Sequence, residues 1–109
     1  MTRIPIIIAG LILFFVGLPL VNRKVPMNKL YGYRVPQAYK SEKHWYEINA
    51  YAGRQLCIWS AVIILAGAAG FMVPREHLLK YDRVSVLLVV VPVFIALIRT
   101  GIWVRRNMP

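Results

Sequence analysis

The residues with the most chemical character in this chain lie in one polar stretch, residues 28–54, which we call the motif segment. It has the sequence NKLYGYRVPQAYKSEKHWYEINAYAGR. The guanidinium groups of Arg34 and Arg54 present planar sets of donors that bind carboxylates or phosphates. Together with Asn49 and the tyrosine hydroxyls, they predict a polar binding pocket. The alternative is that both arginines pair with Glu42, Glu47 or helix-end carbonyls and fold the segment back onto the rest of the protein.

Catalytic chemistry is poorly supported by the same residues. His44 and His77 are far apart in the sequence, and no Cys/His spacing typical of a metal site occurs. Glu42 and Glu47 are five residues apart, which places them on different faces of a helix rather than as a paired acid and base. Ser41 precedes a helical pattern and is best explained as a helix cap. We therefore expect no enzyme activity, no metal and no cofactor.

The elements that position these residues follow from local signals. Gly32 permits a tight turn, and Pro36 favours an extended residue before it. From Ser41 onward, apolar residues recur every three or four positions, which predicts an amphipathic helix. This helix either lies at the membrane interface, with a bend at Gly53, or continues directly into the next apolar run. The recurring residues are Trp45, Ile48, Ala52, Leu56 and Trp59.

The motif segment contains the block Asn-x-x-Tyr-Gly-Tyr-Arg-x-Pro, followed by Ser, Trp and Asn-x-x-Ala-Gly-Arg. The residues that form it are Asn28, Tyr31, Gly32, Tyr33, Arg34, Pro36, Ser41, Trp45, Asn49, Ala52, Gly53 and Arg54. This block resembles the SdpI family of small bacterial membrane proteins. The resemblance implies a role in immunity against a secreted peptide toxin, in some members coupled to signalling, and it implies that these residues form the binding region.

The overall composition predicts an all-α membrane protein with a single membrane domain, residues 1–109. The hydrophobic fraction of 59% and the mean hydropathy of +0.57 exceed what a soluble core of this size can bury. Three apolar runs, about 4–21, 56–73 and 84–104, flank a structured polar loop, 22–55. A run of 18 residues is about 27 Å long as a helix, close to the hydrocarbon thickness.

The first apolar run is longer than the core of a signal peptide, and no small-x-small cleavage site follows it, so we expect it to remain as a span. Arg99 interrupts the third run, and it is close enough to Arg105 and Arg106 to extend towards the interface. The single cysteine, Cys57, is expected to be a packing residue.

Charge distribution predicts the orientation. The net charge is +10, which in a membrane protein indicates contact with anionic lipid rather than nucleic acid. The polar loop and the C-terminal end carry ten lysines and arginines, and the opposite side carries four. The loop and the C-terminus are therefore predicted to be cytoplasmic and the N-terminus external, in a multi-pass protein of the bacterial inner membrane.

Small residues in the second apolar run, Ala66, Gly67 and Gly70, favour close helix packing. The partner helix is expected within this chain, with a homo-oligomer or a larger complex as alternatives. The predicted function is a non-enzymatic immunity or signalling protein whose partner is a peptide toxin. The alternative is a small accessory subunit of a larger membrane complex. A transporter-like oligomer is less favoured, because the spans contain no buried acidic relay.

Overall fold

The computed structural model describes residues 3–108, and this range is helical with no β-strand. Its three long helices are α1 (Arg3–Val21), α2 (Glu42–Ala69) and α3 (Leu78–Asn107). Each is long and apolar enough to cross a membrane. Three short 3₁₀ turns, Pro36–Lys40, Gly70–Met72 and Arg75–His77, lie in the connections. The predicted all-α class is confirmed, and three helices of the length and apolar composition needed to span a membrane are present, as predicted.

Helix α2 contains both the predicted amphipathic helix and the second apolar run. It begins at Ser41, whose side-chain oxygen accepts a hydrogen bond from the backbone N–H of His44 at 3.1 Å. This is the capping role expected from the sequence. The helix then continues without interruption past Gly53 to Ala69. The bend considered at Gly53 is therefore wrong, because this glycine serves helix packing instead.

Helices α1 and α2 are antiparallel and pack so closely that their backbones touch. A Cβ atom at Gly53 would lie 2.7 Å from the carbonyl oxygen of Gly17, and one at Gly17 would lie 2.9 Å from the carbonyl oxygen of Gly53. One heptad further along, a Cβ at Gly10 would lie 3.1 Å from the carbonyl oxygen of Ser60. Small residues repeat every seven positions on both helices, which keeps one narrow stripe of each helix at the interface.

The small residues at the far end of α2 also pack within this chain. A Cβ at Gly67 would lie 2.6 Å from the side chain of Ile7 on α1, and one at Gly70 would lie 2.5 Å from the ring of Tyr81 on α3. The hydroxyl of Tyr81 donates to the carbonyl of Ala66 at 3.1 Å. In this structure the patch therefore packs against α1 and α3 of the same chain.

Helix α3 packs mainly against α2 and touches α1 little. Its buried positions include the small residues Ser85, Ala96 and Thr100. The hydroxyl of Thr100 donates to the carbonyl of Ala96 at 2.8 Å, so this buried polar group is satisfied within its own helix. The outward faces of the helices are apolar and exposed, as is appropriate for lipid contact. Because α3 approaches less closely than α1, open spaces remain around it at the end near the loop.

Candidate functional site

The motif segment folds over one end of the helical bundle and is fixed there by Trp45. This indole is fully buried, and its N–H donates to the backbone carbonyl of Val25 at 2.8 Å. The ring of Tyr39 lies 5.4 Å from it in a tilted arrangement. Ile48 of α2 and Val104 of α3 complete the same hydrophobic cluster. Trp45 therefore joins the loop to two helices through one side chain.

Asn28 holds the first turn of the motif segment. Its side-chain oxygen accepts hydrogen bonds from the backbone N–H groups of Leu30 and Tyr31, at 2.8 and 2.6 Å. Its side-chain amide donates to the carbonyls of Pro26 and Tyr31, at 2.8 and 2.9 Å. The hydroxyl of Tyr39 donates to the backbone carbonyl of Asn28 at 2.7 Å. All of these contacts are internal, so Asn28 has a structural role.

Pro36 ends the extended part of the loop and begins the 3₁₀ turn Pro36–Lys40. The residue before it, Val35, is extended, with φ −97° and ψ 159°, as the proline predicts. The turn brings Ala38 into the hydrophobic cluster beneath the loop, where it is fully buried. Pro36 thus directs the chain from the extended part of the loop towards the start of α2.

Asn49 and Gly32 form the contact between the loop and α2. The side-chain oxygen of Asn49, which is buried, accepts a hydrogen bond from the backbone N–H of Tyr33, and its amide donates to the carbonyl of Trp45 at 3.0 Å. Gly32 has a φ of +124°, a conformation that L side chains rarely adopt. A Cβ there would also lie 2.7 Å from the Asn49 oxygen and 3.1 Å from the Trp45 ring. Only glycine fits this position.

Three consecutive residues of the loop contact three different helices. The hydroxyl of Tyr31 donates to the carbonyl of Val16 on α1. Gly32 lies against α2, and the hydroxyl of Tyr33 lies 3.4 Å from a Cβ built on Gly101 of α3. Burial raises the pKa of the Tyr31 phenol, which favours the protonated form that donates this bond. The Tyr-Gly-Tyr sequence therefore depends on the spacing of all three helices.

Beneath these three residues lies an apolar cleft of about 170 Å³ between the helices. Its walls are almost entirely hydrocarbon, and its one hydroxyl-bearing helical residue, Thr100, already donates to its own helix. The cleft is lined by Val16, Leu20, Tyr31, Gly32, Tyr33, Ala52, Leu56, Val93, Ala96, Leu97 and Thr100.

The structure separates the two arginines that the sequence placed in one polar pocket. Arg34 is exposed and donates to the backbone carbonyl of Lys29. Arg54 lies on another face of α2, with its guanidinium carbon 5.2 Å from the centroid of the Tyr51 ring. The prediction that Arg34, Arg54 and Asn49 share one pocket is wrong, because Asn49 is buried and bonded to Tyr33 and Trp45, while the two arginines have different neighbours. The alternative pairing is not seen for Arg34 either, because its partner is a carbonyl of the loop and not Glu42, Glu47 or a helix end.

A second candidate site, between α2 and α3, was not predicted from the sequence. The rings of Tyr51 on α2 and Trp103 on α3 stack with centroids 4.6 Å apart and planes 11° apart. On one side of this stack is a cavity of about 340 Å³ and on the other a cavity of about 370 Å³. We call the two together the arginine groove. Its charged residues are Arg23, Glu47, Arg54, Arg99 and Arg106.

Two sequence spacings could have revealed this groove. Glu47, Tyr51 and Arg54 occur at intervals of four and three, and so do Arg99, Trp103 and Arg106. Each set therefore lies on a single helix face. Neither spacing predicts that these two helix faces lie side by side, because their pairing depends on how α2 and α3 pack.

A family model supplies a comparison that does not depend on this geometry. The model of the SdpI/YfhL protein family matches residues 24–103. The matched range contains the whole motif segment, all of α2 and most of α3, while α1 lies outside it. No curated protein and no solved structure gives a significant match to the chain.

Proposed function

The chain belongs to the SdpI/YfhL protein family, and we propose that it acts without enzymatic chemistry, as an immunity or signalling protein against a secreted peptide toxin. The family match and the three apolar helices support a multi-pass membrane protein of the SdpI type. The observation that carries the finer proposal is the apolar cleft. It lies directly beneath the Tyr-Gly-Tyr residues of the motif that the family resemblance identifies.

The apolar cleft suits a membrane-active peptide because of its chemistry and its position. Its hydrocarbon walls favour an apolar side chain over a charged or polar ligand. A volume of about 170 Å³ accommodates one large aliphatic or aromatic side chain rather than a whole helix. The proposed binding event is therefore the insertion of one apolar side chain of the toxin between the helices, from the bilayer.

The same geometry provides a route for signalling. An inserted side chain changes the separation of α1 and α3 from α2. Tyr31 and Tyr33 contact α1 and α3, respectively, while Gly32 is held against α2. A change in helix spacing therefore alters the loop conformation, which a partner protein on the loop side detects. The coupling requires a peptide with different affinities for the two arrangements of the loop.

The proposed orientation places the polar loop and the C-terminus in the cytoplasm, on the basis of the asymmetry in lysine and arginine. In a Cys57→Ser background, a cysteine at position 40 is expected to resist a membrane-impermeant thiol reagent in intact cells, whereas one at position 76 is expected to react. Lys40 and Glu76 are both exposed, so burial does not produce the difference. The opposite labelling pattern would place the loop outside.

The function is tested by filling the cleft. Val93 lines it, whereas Val91 is 46% exposed on the same helix and faces away. The parent chain is expected to protect a sensitive bacterium from a secreted peptide toxin that members of this family neutralise. Val93→Phe should abolish this protection, while Val91→Phe adds the same bulk on the lipid side and should protect like the parent. Thermal unfolding in detergent confirms that both variants fold.

Two results would contradict the proposal. Equal protection by Val93→Phe and the parent would show that the cleft does not bind the toxin. A chain that gives no protection and co-purifies in constant stoichiometry with larger membrane subunits would instead identify an accessory subunit.

A further inference from the structure

The described residues of the arginine groove carry more positive than negative charge. One cavity contains Arg23 and Arg54 with a single carboxylate, Glu47, and the described lining of the other contains Arg99 and Arg106 without a carboxylate. Within residues 3–108, none of these four guanidinium groups forms an ion pair with a carboxylate. The excess of cations in two adjoining cavities produces a local positive potential that favours an anion.

The shape of the groove is fixed by aromatic packing. The Tyr51 and Trp103 rings form the ridge between the two cavities, and their stacking joins α2 to α3. Arg54 lies against the face of Tyr51, which restricts the guanidinium to one side of the ridge. The arginines therefore surround a defined surface rather than extending independently into solvent.

The depth of the groove indicates which kind of anion it binds. Tyr51 and Trp103 are in contact, so they lie at the same level. Arg54 follows Tyr51 by three residues, and Arg99 precedes Trp103 by four on an antiparallel helix. Both arginines are therefore displaced by about 4.5–6 Å towards the apolar centre of the bundle. Tryptophan and tyrosine typically mark the headgroup region, so the two arginines start from backbone just below that region, and their long side chains extend back towards it, as the guanidinium of Arg54 does over the Tyr51 ring.

Exposed hydrocarbon continues directly from the charged residues. Ile58 lies one turn beyond Arg54 on α2 and is 49% exposed. On α3, Ile98 and Ile102 flank Arg99 and are 59% and 47% exposed. A ligand that uses both surfaces has an anionic group and a long apolar chain. Neither a soluble phosphate nor a soluble acidic protein has a long apolar chain that could cover these isoleucines.

We propose that the arginine groove binds anionic phospholipid, with headgroup phosphates that contact Arg54 on one side of the Tyr51 and Trp103 ridge and Arg99 on the other. The acyl chains lie along the exposed isoleucines. Arginine suits this role because its planar donors bind phosphate oxygens in pairs, and basic pockets between membrane helices are known to bind such headgroups. The inference needs only the membrane location and not the immunity role, so either can fail without the other.

The test measures lipid retained by the full-length chain. The chain is reconstituted in phosphatidylcholine vesicles with a minority of phosphatidylglycerol, and native mass spectrometry then counts the lipids that remain bound. We expect phosphatidylglycerol to be enriched over its share of the bilayer. The double variant Arg54→Gln/Arg99→Gln should reduce this enrichment by about tenfold. The matched control, Arg75→Gln/Arg83→Gln, removes equal charge at the other end of the bundle, where both arginines are exposed, and should retain it.

Further outcomes distinguish the sources of phosphate and the role of geometry. Inorganic phosphate at millimolar concentration should not displace the lipid, since it lacks the apolar chains. Arg54→Lys should bind less than the parent, because lysine keeps the charge but lacks the planar donor set. Equal losses in the two double variants would reduce the effect to general attraction between a basic protein and the bilayer. Displacement by inorganic phosphate, or equal retention of both lipids, would also overturn the proposal. Circular dichroism checks that the variants remain folded.

Discussion

The two faces of α2 near the loop use polar residues in opposite ways. On the face towards the motif segment, the side chains of Asn49 and Trp45 form hydrogen bonds with backbone groups of the same chain. On the face towards the groove, Arg54 contacts an aromatic ring and no carboxylate in the described range. The first face has the characteristics of a structural joint. The second has the characteristics of a surface for an external anion.

The contacts on these two faces indicate that the residues of the family-like motif have different roles. Several of its polar residues, including Asn28 and Asn49, hold the loop in place rather than contacting a ligand. Its aromatic residues Tyr31 and Tyr33 then form the cover of an apolar cleft. The residues of this motif therefore do not all contact the same ligand, and some of them position the others.

The largest expected effect concerns the interface between α1 and α2, because the positions of both faces of α2 depend on it. Gly53→Leu should prevent the native packing, because even its first side-chain carbon would lie 2.7 Å from the backbone oxygen of Gly17. We expect little folded protein in detergent, measured by size-exclusion chromatography. Ala61→Leu, on an exposed position of the same helix, is the control and should fold like the parent.

Gly70→Leu sharpens this prediction. A Cβ at Gly70 also has close neighbours, but they are the side chains of Tyr81 and Arg3 rather than backbone. Side chains can move where backbone cannot, so the yield of folded protein should fall less than for Gly53→Leu. Equal losses for the two variants would mean that backbone contact is not what makes the α1 and α2 interface sensitive.

The next largest effect is expected at Trp45. Trp45→Ala removes a fully buried indole and its hydrogen bond to Val25, and such truncations cost about 3–5 kcal/mol. The loss should be concentrated in the loop, so residues 22–41 should become sensitive to protease while the membrane helices persist. Leu30→Ala, at a side chain that is 93% exposed, is the control. Loop protection equal to that of the parent would show that Trp45 does not hold the loop.

A smaller effect is expected for Arg34→Lys. Arg34 is exposed and bonds to the carbonyl of Lys29, so this change should cost at most about 1 kcal/mol and leave membrane insertion intact. Lysine cannot reproduce the planar donor geometry, and toxin protection should decrease although the charge is retained. If Arg34→Lys protects like the parent, the contribution of this residue is general electrostatics, and the binding role that the family resemblance implies for it should be dropped.

Much of the fold could be predicted from the sequence because its signals are local. Apolar length predicts the three helices, and Ser41 with the pattern after it predicts the start of α2. The glycine spacing from Gly10 to Gly17 was present in the sequence, but its match to Gly53 depends on an antiparallel register that no local pattern contains. The same is true of the site. The sequence identified the arginines, but only helix packing places Arg54 beside Trp103 and away from Arg34.

The distinction between the two faces is tested most directly by measuring stability and lipid retention together in two variants. Asn49→Leu should lower the thermal midpoint, at a cost of about 1–3 kcal/mol, because the N–H of Tyr33 loses its acceptor, and it should retain phosphatidylglycerol like the parent. Arg54→Gln/Arg99→Gln should show the reverse, with an unchanged midpoint and about tenfold less retained lipid. If both variants changed both quantities to the same extent, the two faces would form one functional unit, which would contradict the separation of a structural joint from an anion-binding surface.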